Sequence, residues 1–225
     1  MKIFSEIFPT TIFETSSPFS GKIRVVDFRG EKRLMIGDLV QSVSLNGTPI
    51  GHKVWGRLAA YPFKSRKVAT VLILGLGGGT VAHLISRSLK PSKIVGVEVD
   101  PVVVEVGQKY FDFGEIKGLE VVVEDACKFL KKDTGQYDFV VVDTYQGDAF
   151  PKPLESRSLL LKLRSRLSED GVLVFNRIFL LSQPHERLSF LRKLERVFGQ
   201  LKEEVIEGPS DAKNYLYWVL PHTHI

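Results

Sequence analysis

The chain has 225 residues, with Lys+Arg 31 against Asp+Glu 26 for a net charge of +5 and a sequence pI near 9.2. Hydrophobic residues are 44% and charged residues 25%, which excludes long-range disorder, and no apolar run approaches the ~18 residues of a membrane span. One cysteine, Cys127, excludes an internal disulfide and any multi-cysteine zinc site, and the five histidines show no close pairing with carboxylates, so no metal is expected.

The N-terminus, MKIFSEIFPTTIFET, interrupts its apolar residues with Ser, Glu, Pro and Thr and lacks the continuous core of a signal peptide. The expected setting is cytoplasmic, away from a membrane. Residues 10–46 read as short strands: Ile23 to Phe28, a turn at Arg29-Gly30, Arg33 to Ile36, a break at Gly37-Asp38, then Leu39 to Leu45. Hairpins this short bury little alone, so this piece is expected to pack on the rest. The division expected is a β-hairpin domain over 1–50 and a Rossmann-like catalytic domain over 51–225, joined by a connector with helical spacing at Val54, Leu58 and Tyr61.

From Val68 the pattern becomes strand, glycine turn, helix, strand. Val71-Leu72-Ile73-Leu74 is continuously apolar, as in a parallel strand buried on both faces. A helix is expected over Thr80–Ser88, a strand at Ile94–Val97, and a helix opened by Asp100-Pro101 as cap and first residue. Strands follow at Leu119–Val123, Phe139–Val142 and Val172–Phe175, with helices near 126–131, 156–167 and 184–198. Lys162, Arg164 and Arg166 alternate with leucines and read as a solvated helix face, so no nucleic-acid partner is expected. Glu203–Ile206 and Tyr215–Leu220 have no helix between them, which points to a final antiparallel hairpin on a parallel sheet. His222 and His224 read as exposed tail residues.

Three positions on this frame carry chemistry. Gly75-Leu76-Gly77-Gly78-Gly79-Thr80 follows a buried strand and opens a helix; glycines permit close backbone approach, and the helix N-terminus offers free N–H groups. The next strand ends in Glu98, 23 residues after Gly75, where a carboxylate can hold a ribose diol. A dinucleotide fingerprint wants glycine where Thr80 stands, so a nicotinamide cofactor fits less well than an S-adenosylmethionine-type nucleoside. Asp125, before Ala126, can accept from an adenine amino group and can equally cap a helix. Three valines deliver Asp143 to the carboxyl edge of the sheet, where it can orient or deprotonate an attacking amine, or simply cap a loop; Asp148 reads as turn chemistry.

At these residues the chain resembles the spermidine synthase family, the polyamine aminopropyltransferases. The resemblance runs from Ser17-Pro18-Phe19 to about Asn176 through the N-terminal hairpins, the glycine loop, VGVEVDP, EDACKFL, YDFVVVDTYQGDAFPKPL and SEDGVLVFN. It implies a seven-stranded S-adenosylmethionine-dependent transferase fold with a small N-terminal β-hairpin domain. It further implies that Gln41 reaches the donor, Glu98 binds its ribose, Asp125 its adenine, and Asp143 faces the reacting amine. Gly75, Gly77, Gly78 and Ala126 complete the expected donor site. The family's glycine loop usually reads GGGDGG, and its Asp, which contacts the donor's free amine, falls on Gly78. The second Asp of its DSxDP stretch falls on Gln146, and its polyamine-binding Tyr-His/Gln-Glu element is replaced by Val54-Trp55-Gly56. Some relatives with a GLGGG loop are methyltransferases.

The leading expectation is aminopropyl transfer from decarboxylated S-adenosylmethionine to a small amine, with methyl transfer from S-adenosylmethionine as the alternative. A non-catalytic nucleoside-binding regulator is the third reading, and a homodimer is the assembly compatible with the resemblance. Because Gly78 carries no charge to repel a carboxylate, intact S-adenosylmethionine is expected to bind at least as well as its decarboxylated form.

Overall fold

The computed structural model describes residues 8–46, 53–63, 65–145, 149–207 and 211–221. Four antiparallel strands form the first sheet: β1 (Thr10–Ser17), β2 (Gly21–Phe28), β3 (Glu31–Ile36) and β4 (Leu39–Val43), in order β1-β2-β3-β4. Between β3 and β4 the register slips: Leu34 pairs with Ser42 but Met35 with Val40. Gln41 is therefore the extra residue of a bulge, a device that re-aims a side chain. A short helix α1 (Val54–Leu58) leads into the second sheet, and Tyr61 falls beyond its end.

That sheet has seven strands: β5 (Thr70–Leu74), β6 (Lys93–Glu98), β7 (Leu119–Val123), β8 (Tyr137–Val142), β9 (Leu167–Leu180), β10 (Lys202–Ile206) and β11 (Ala212–Val219), in order β10-β11-β9-β8-β5-β6-β7. β5 to β9 run parallel, while β11 pairs antiparallel with both β9 and β10. The helix-free final hairpin takes the place expected for it. Helices α2 (Thr80–Leu89), α3 (Pro101–Tyr110), α4 (Ala126–Lys132), α5 (Arg157–Ser165) and α6 (Pro184–Phe198) cover the two faces.

Alternation along the strands builds two cores. Val71, Ile73, Phe139, Val141, Val172 and Val174 point to one face, where α2 and α3 supply Val81, Ile85, Val103 and Val106. Leu72, Leu74, Val140, Val142, Leu173 and Phe175 point to the other, under Leu130, Leu160, Phe190 and Leu194 of α4, α5 and α6. Ile23, Val25 and Leu34 of the first sheet belong to the first of these cores and are fully buried. The hairpin piece thus shares the core of the larger sheet.

Two boundaries differ from the sequence reading. The basic helix ends at Ser165, so Arg166 and Leu167 leave it; Arg166 Nη1 donates to the Asp133 carbonyl and Arg164 Nη1 to the Val197 carbonyl. Arg164 thus ties α5 to the last turn of α6, and Arg166 ties the end of α5 to the segment after α4, instead of both lying on one solvated helix face. β9 extends well beyond Val172–Phe175 in both directions, carrying polar and charged residues at its ends. Gln146, Asp148, His222 and His224 lie outside the described residues.

Candidate active site

The parallel strands leave a cleft at their carboxyl ends, where the chain runs outward from β5 to β6 and β7 and returns beside β5 as β8. Such a switch in strand order opens a crevice in α/β sheets. At its floor the backbones of β5 and β8 touch: a Cβ on Gly75, which has φ +89°, would lie 2.2 Å from the Asp143 carbonyl oxygen. Only glycine fits there. The cleft is lined by residues of both sheets, from Ser20 and Gln41 to Glu98, Asp125 and Asp143.

Glu98, the last residue of β6, anchors one wall. Its Oε2 accepts from the Gly77 amide at 2.9 Å, and Oε1 accepts from the amides of Val99 at 2.9 Å and Asp100 at 3.2 Å. Burial pushes its carboxyl above the ordinary range against the pull of these three bonds. After β7, Asp125 Oδ1 accepts from the Lys128 amide at 2.9 Å and caps α4, and its side chain also faces the cleft. Beside it Glu124 pairs with Lys132 at 2.6 Å. Cys127 lines the same wall; burial, with Asp125 adding to it, pushes its thiol up to about 11 and keeps it protonated, unsuited to act as a nucleophile.

Asp143 stands just past β8. Its Oδ1 accepts from Asn176 Nδ2 at 2.8 Å, and burial raises its pKa to about 6 despite that bond. Next to it Thr144 is 7% exposed, lines the cleft, and has no hydrogen-bond partner for its hydroxyl. A buried hydroxyl with no protein partner at a cleft wall is open to a hydrogen bond from whatever fills the cleft, water or ligand.

The cleft brings together Gln41, Gly75, Gly77, Glu98, Asp125, Ala126 and Asp143 from the expected set, and adds Ser20, Trp55, Thr144 and Tyr145 among others. Gly78 is the exception. Its amide donates to Ser42 Oγ at 2.8 Å, and a Cβ there would meet Ser42 Cβ at 2.8 Å. Thr80 likewise turns to the first sheet: its hydroxyl donates to the Val43 carbonyl at 2.7 Å and accepts from the Val43 amide at 2.8 Å. Gly78 and Thr80 dock β4 onto the glycine turn, which holds the Gln41 bulge at the cleft mouth. Gly78 thus faces Ser42 of the first sheet, and it is not among the residues that line the cleft.

Two features of the lining could not be read locally. Trp55 enters from α1, and Thr144 depends on how β8 and β9 pack. Four carboxylates line the cleft, Glu98, Glu124, Asp125 and Asp143, and no Lys, Arg or His does so among the described residues. No group of three or more metal-ligating side chains occurs among those residues either.

A family model described as the spermine/spermidine synthase domain matches residues 57–224. Among curated proteins, the chain is 36% identical over 113 residues to a polyamine aminopropyltransferase of Vibrio vulnificus, covering 49% of this chain and 38% of that protein. It is 27% identical over 166 residues to an eEF1A lysine and N-terminal methyltransferase homolog of Drosophila pseudoobscura pseudoobscura, covering 68% of this chain and 24% of that one. The chain thus spans well under half the length of these relatives. The fold matches the crystal structure of spermidine synthase from Thermotoga maritima with a TM-score of 0.75 at 18% identity, over 92% of this chain and 72% of the other.

Proposed function

The chain belongs to the spermine/spermidine synthase family, and on that premise we propose that its cleft binds an S-adenosylmethionine-type sulfonium donor and passes the donor's aminopropyl group to an amine. The observation that carries this reading is the charge of the lining, in which Glu98, Asp125 and Asp143 join Glu124, itself paired with Lys132, and no basic side chain lines the cleft among the described residues. A sulfonium with a free ammonium and no carboxylate is a dication, and such a lining offsets the water it loses on entering. Intact S-adenosylmethionine brings a carboxylate for which this lining offers no cation.

The donor's sulfonium supplies its own leaving group, so the protein's share is orientation and a neutral nucleophile. In this reading Glu98 takes the ribose diol on lone pairs left beside its backbone bonds, and Asp125 takes the adenine amine. Asp143 holds the acceptor amine and takes its proton. Its raised pKa of about 6 brings it nearer the working pH than an ordinary aspartate, which is what a general base requires. Thr144 offers a second polar contact beside it.

Methyl transfer is the second reading, favoured by the methyltransferase relative, whose match covers more of this chain than that of the aminopropyltransferase. Side-by-side calorimetric titration with the two donors separates them. Tighter binding of the decarboxylated donor is expected; preference for the intact donor would move the assignment to methyl transfer. Donor binding with no turnover of any amine would leave a nucleoside-binding regulator.

A further inference from the structure

A second concavity adjoins the cleft and shares Tyr145 with it. Its walls come from the 3-10 turn at Lys152–Glu155, the end of β9 and the start of α6. At its deep end Arg177, only 9% exposed, lies against three rings, with Cζ 4.0 Å from the Phe150 centroid, 4.8 Å from Phe190 and 4.9 Å from Phe179. Arg177 Nη2 donates to Glu155 Oε1 at 2.9 Å, while its buried Nε has no acceptor. Glu155 is fully engaged, because its Oε2 accepts from Lys193 Nζ at 2.7 Å. Lys152 is exposed and has no carboxylate partner among the described residues. The lining therefore sets Lys152, Arg177 and Lys193 against Glu155 and the exposed Glu186, with His185 beside them.

The sign of the lining thus reverses across Tyr145, from four carboxylates of which Glu124 alone is paired, with Lys132, to a surplus of cations. A polyamine has ammonium groups along its whole length, and its distal end would meet a carboxylate already holding two cations. A desolvated ammonium there lacks the opposite charge it needs. A carboxylate in the same place gains the unpaired Lys152 and lies in the field of Arg177 and Lys193, whose charge Glu155 offsets only in part. We propose that this groove receives the far end of the acceptor and that this end is anionic, so that the acceptor is an amino carboxylate whose amine reaches Asp143. The inference rests on the reading of the acidic cleft as the donor site.

The test is calorimetry in two steps. Decarboxylated and intact S-adenosylmethionine are titrated first; if neither binds, the donor reading fails and the acceptor inference falls with it. With the site then filled by the nucleoside product of the donor that binds, ω-amino carboxylates are compared with α,ω-diamines of equal chain length. These pairs share the amine and differ only in distal charge. Amino carboxylates are expected to bind at least ~10-fold more tightly, equivalent to about 1.4 kcal/mol. Lys152→Glu is expected to erase or reverse that order without changing donor affinity. Lys152 is chosen because it is exposed and unpaired, whereas a change at the caged Arg177 would disturb folding. Equal or tighter binding of the diamines, no binding of either series, or an order untouched by Lys152→Glu would overturn the acceptor proposal while leaving the donor reading intact.

Discussion

Asp143 holds its charge at a cost, and the cost has a pH signature. With a folded-state pKa of about 6 against an ordinary 3.8, the folded protein retains a proton that the unfolded chain releases. Stability therefore falls as pH rises from about 4 to 6 and stays lower above that, by ~3 kcal/mol at most. Asp143→Asn removes the penalty: thermal melts at pH 8 are expected to shift upward relative to the parent and to converge with it near pH 4, while turnover collapses. At the opposite wall, Glu98 spends two oxygens on three amides. Glu98→Gln keeps one acceptor oxygen and cannot serve both Gly77 and the Val99–Asp100 pair. Donor affinity is expected to drop ~10- to 100-fold, the loss of a charge-assisted bond worth roughly 1.5–3 kcal/mol, which calorimetry reads directly. These acids were legible because each ends an apolar strand, a signal contained in a few consecutive residues. Ser42, Trp55 and Thr144 were not, since their positions in the site depend on segments distant in sequence.

At the scale of elements, β5, β6 and β8 are legible as apolar runs, and α6 fills the expected span of 184–198. β9 is longer than its apolar run suggests because its extensions carry polar residues whose place is set by partners distant in sequence. Ser168, Glu169 and Asp170 fall in an irregularity between Leu167, paired with Tyr137, and Val172, paired with Phe139, and Arg177 pairs with Tyr215 of β11. The glycine turn illustrates a motif that is visible while its partner is not. Thr80 occupies a position where a dinucleotide fold wants glycine, and its hydroxyl closes two bonds to Val43 of β4. Thr80→Val preserves the volume and strips both bonds, leaving a buried N–H and carbonyl unpaired. Chemical denaturation is expected to show a loss of ~2–4 kcal/mol. Donor affinity is expected to weaken as well, because the Gln41 bulge follows β4.

For the molecule as a whole, the first sheet packs into the core of the second. Ile23, Val25 and Leu34 sit in the same core as Val71 and Phe139, and Ser17 donates its hydroxyl to the buried Asp100 that caps α3. The boundary near residue 50 marks a change of topology, and the core runs across it. A chain lacking β1 to β4 exposes that core and is expected to lose its single cooperative melt, which calorimetric scanning checks. The chain has two tryptophans, one on each side of a useful divide. Trp218 is 5% exposed and stacks on Phe139, centroids 6.4 Å apart, deep in that core. Trp55 stands half-buried in the wall of the cleft. The protein therefore carries its own optical gauge: in Trp218→Phe the remaining indole emission comes from the wall alone, and an arriving adenosyl group changes its colour and intensity without any attached dye.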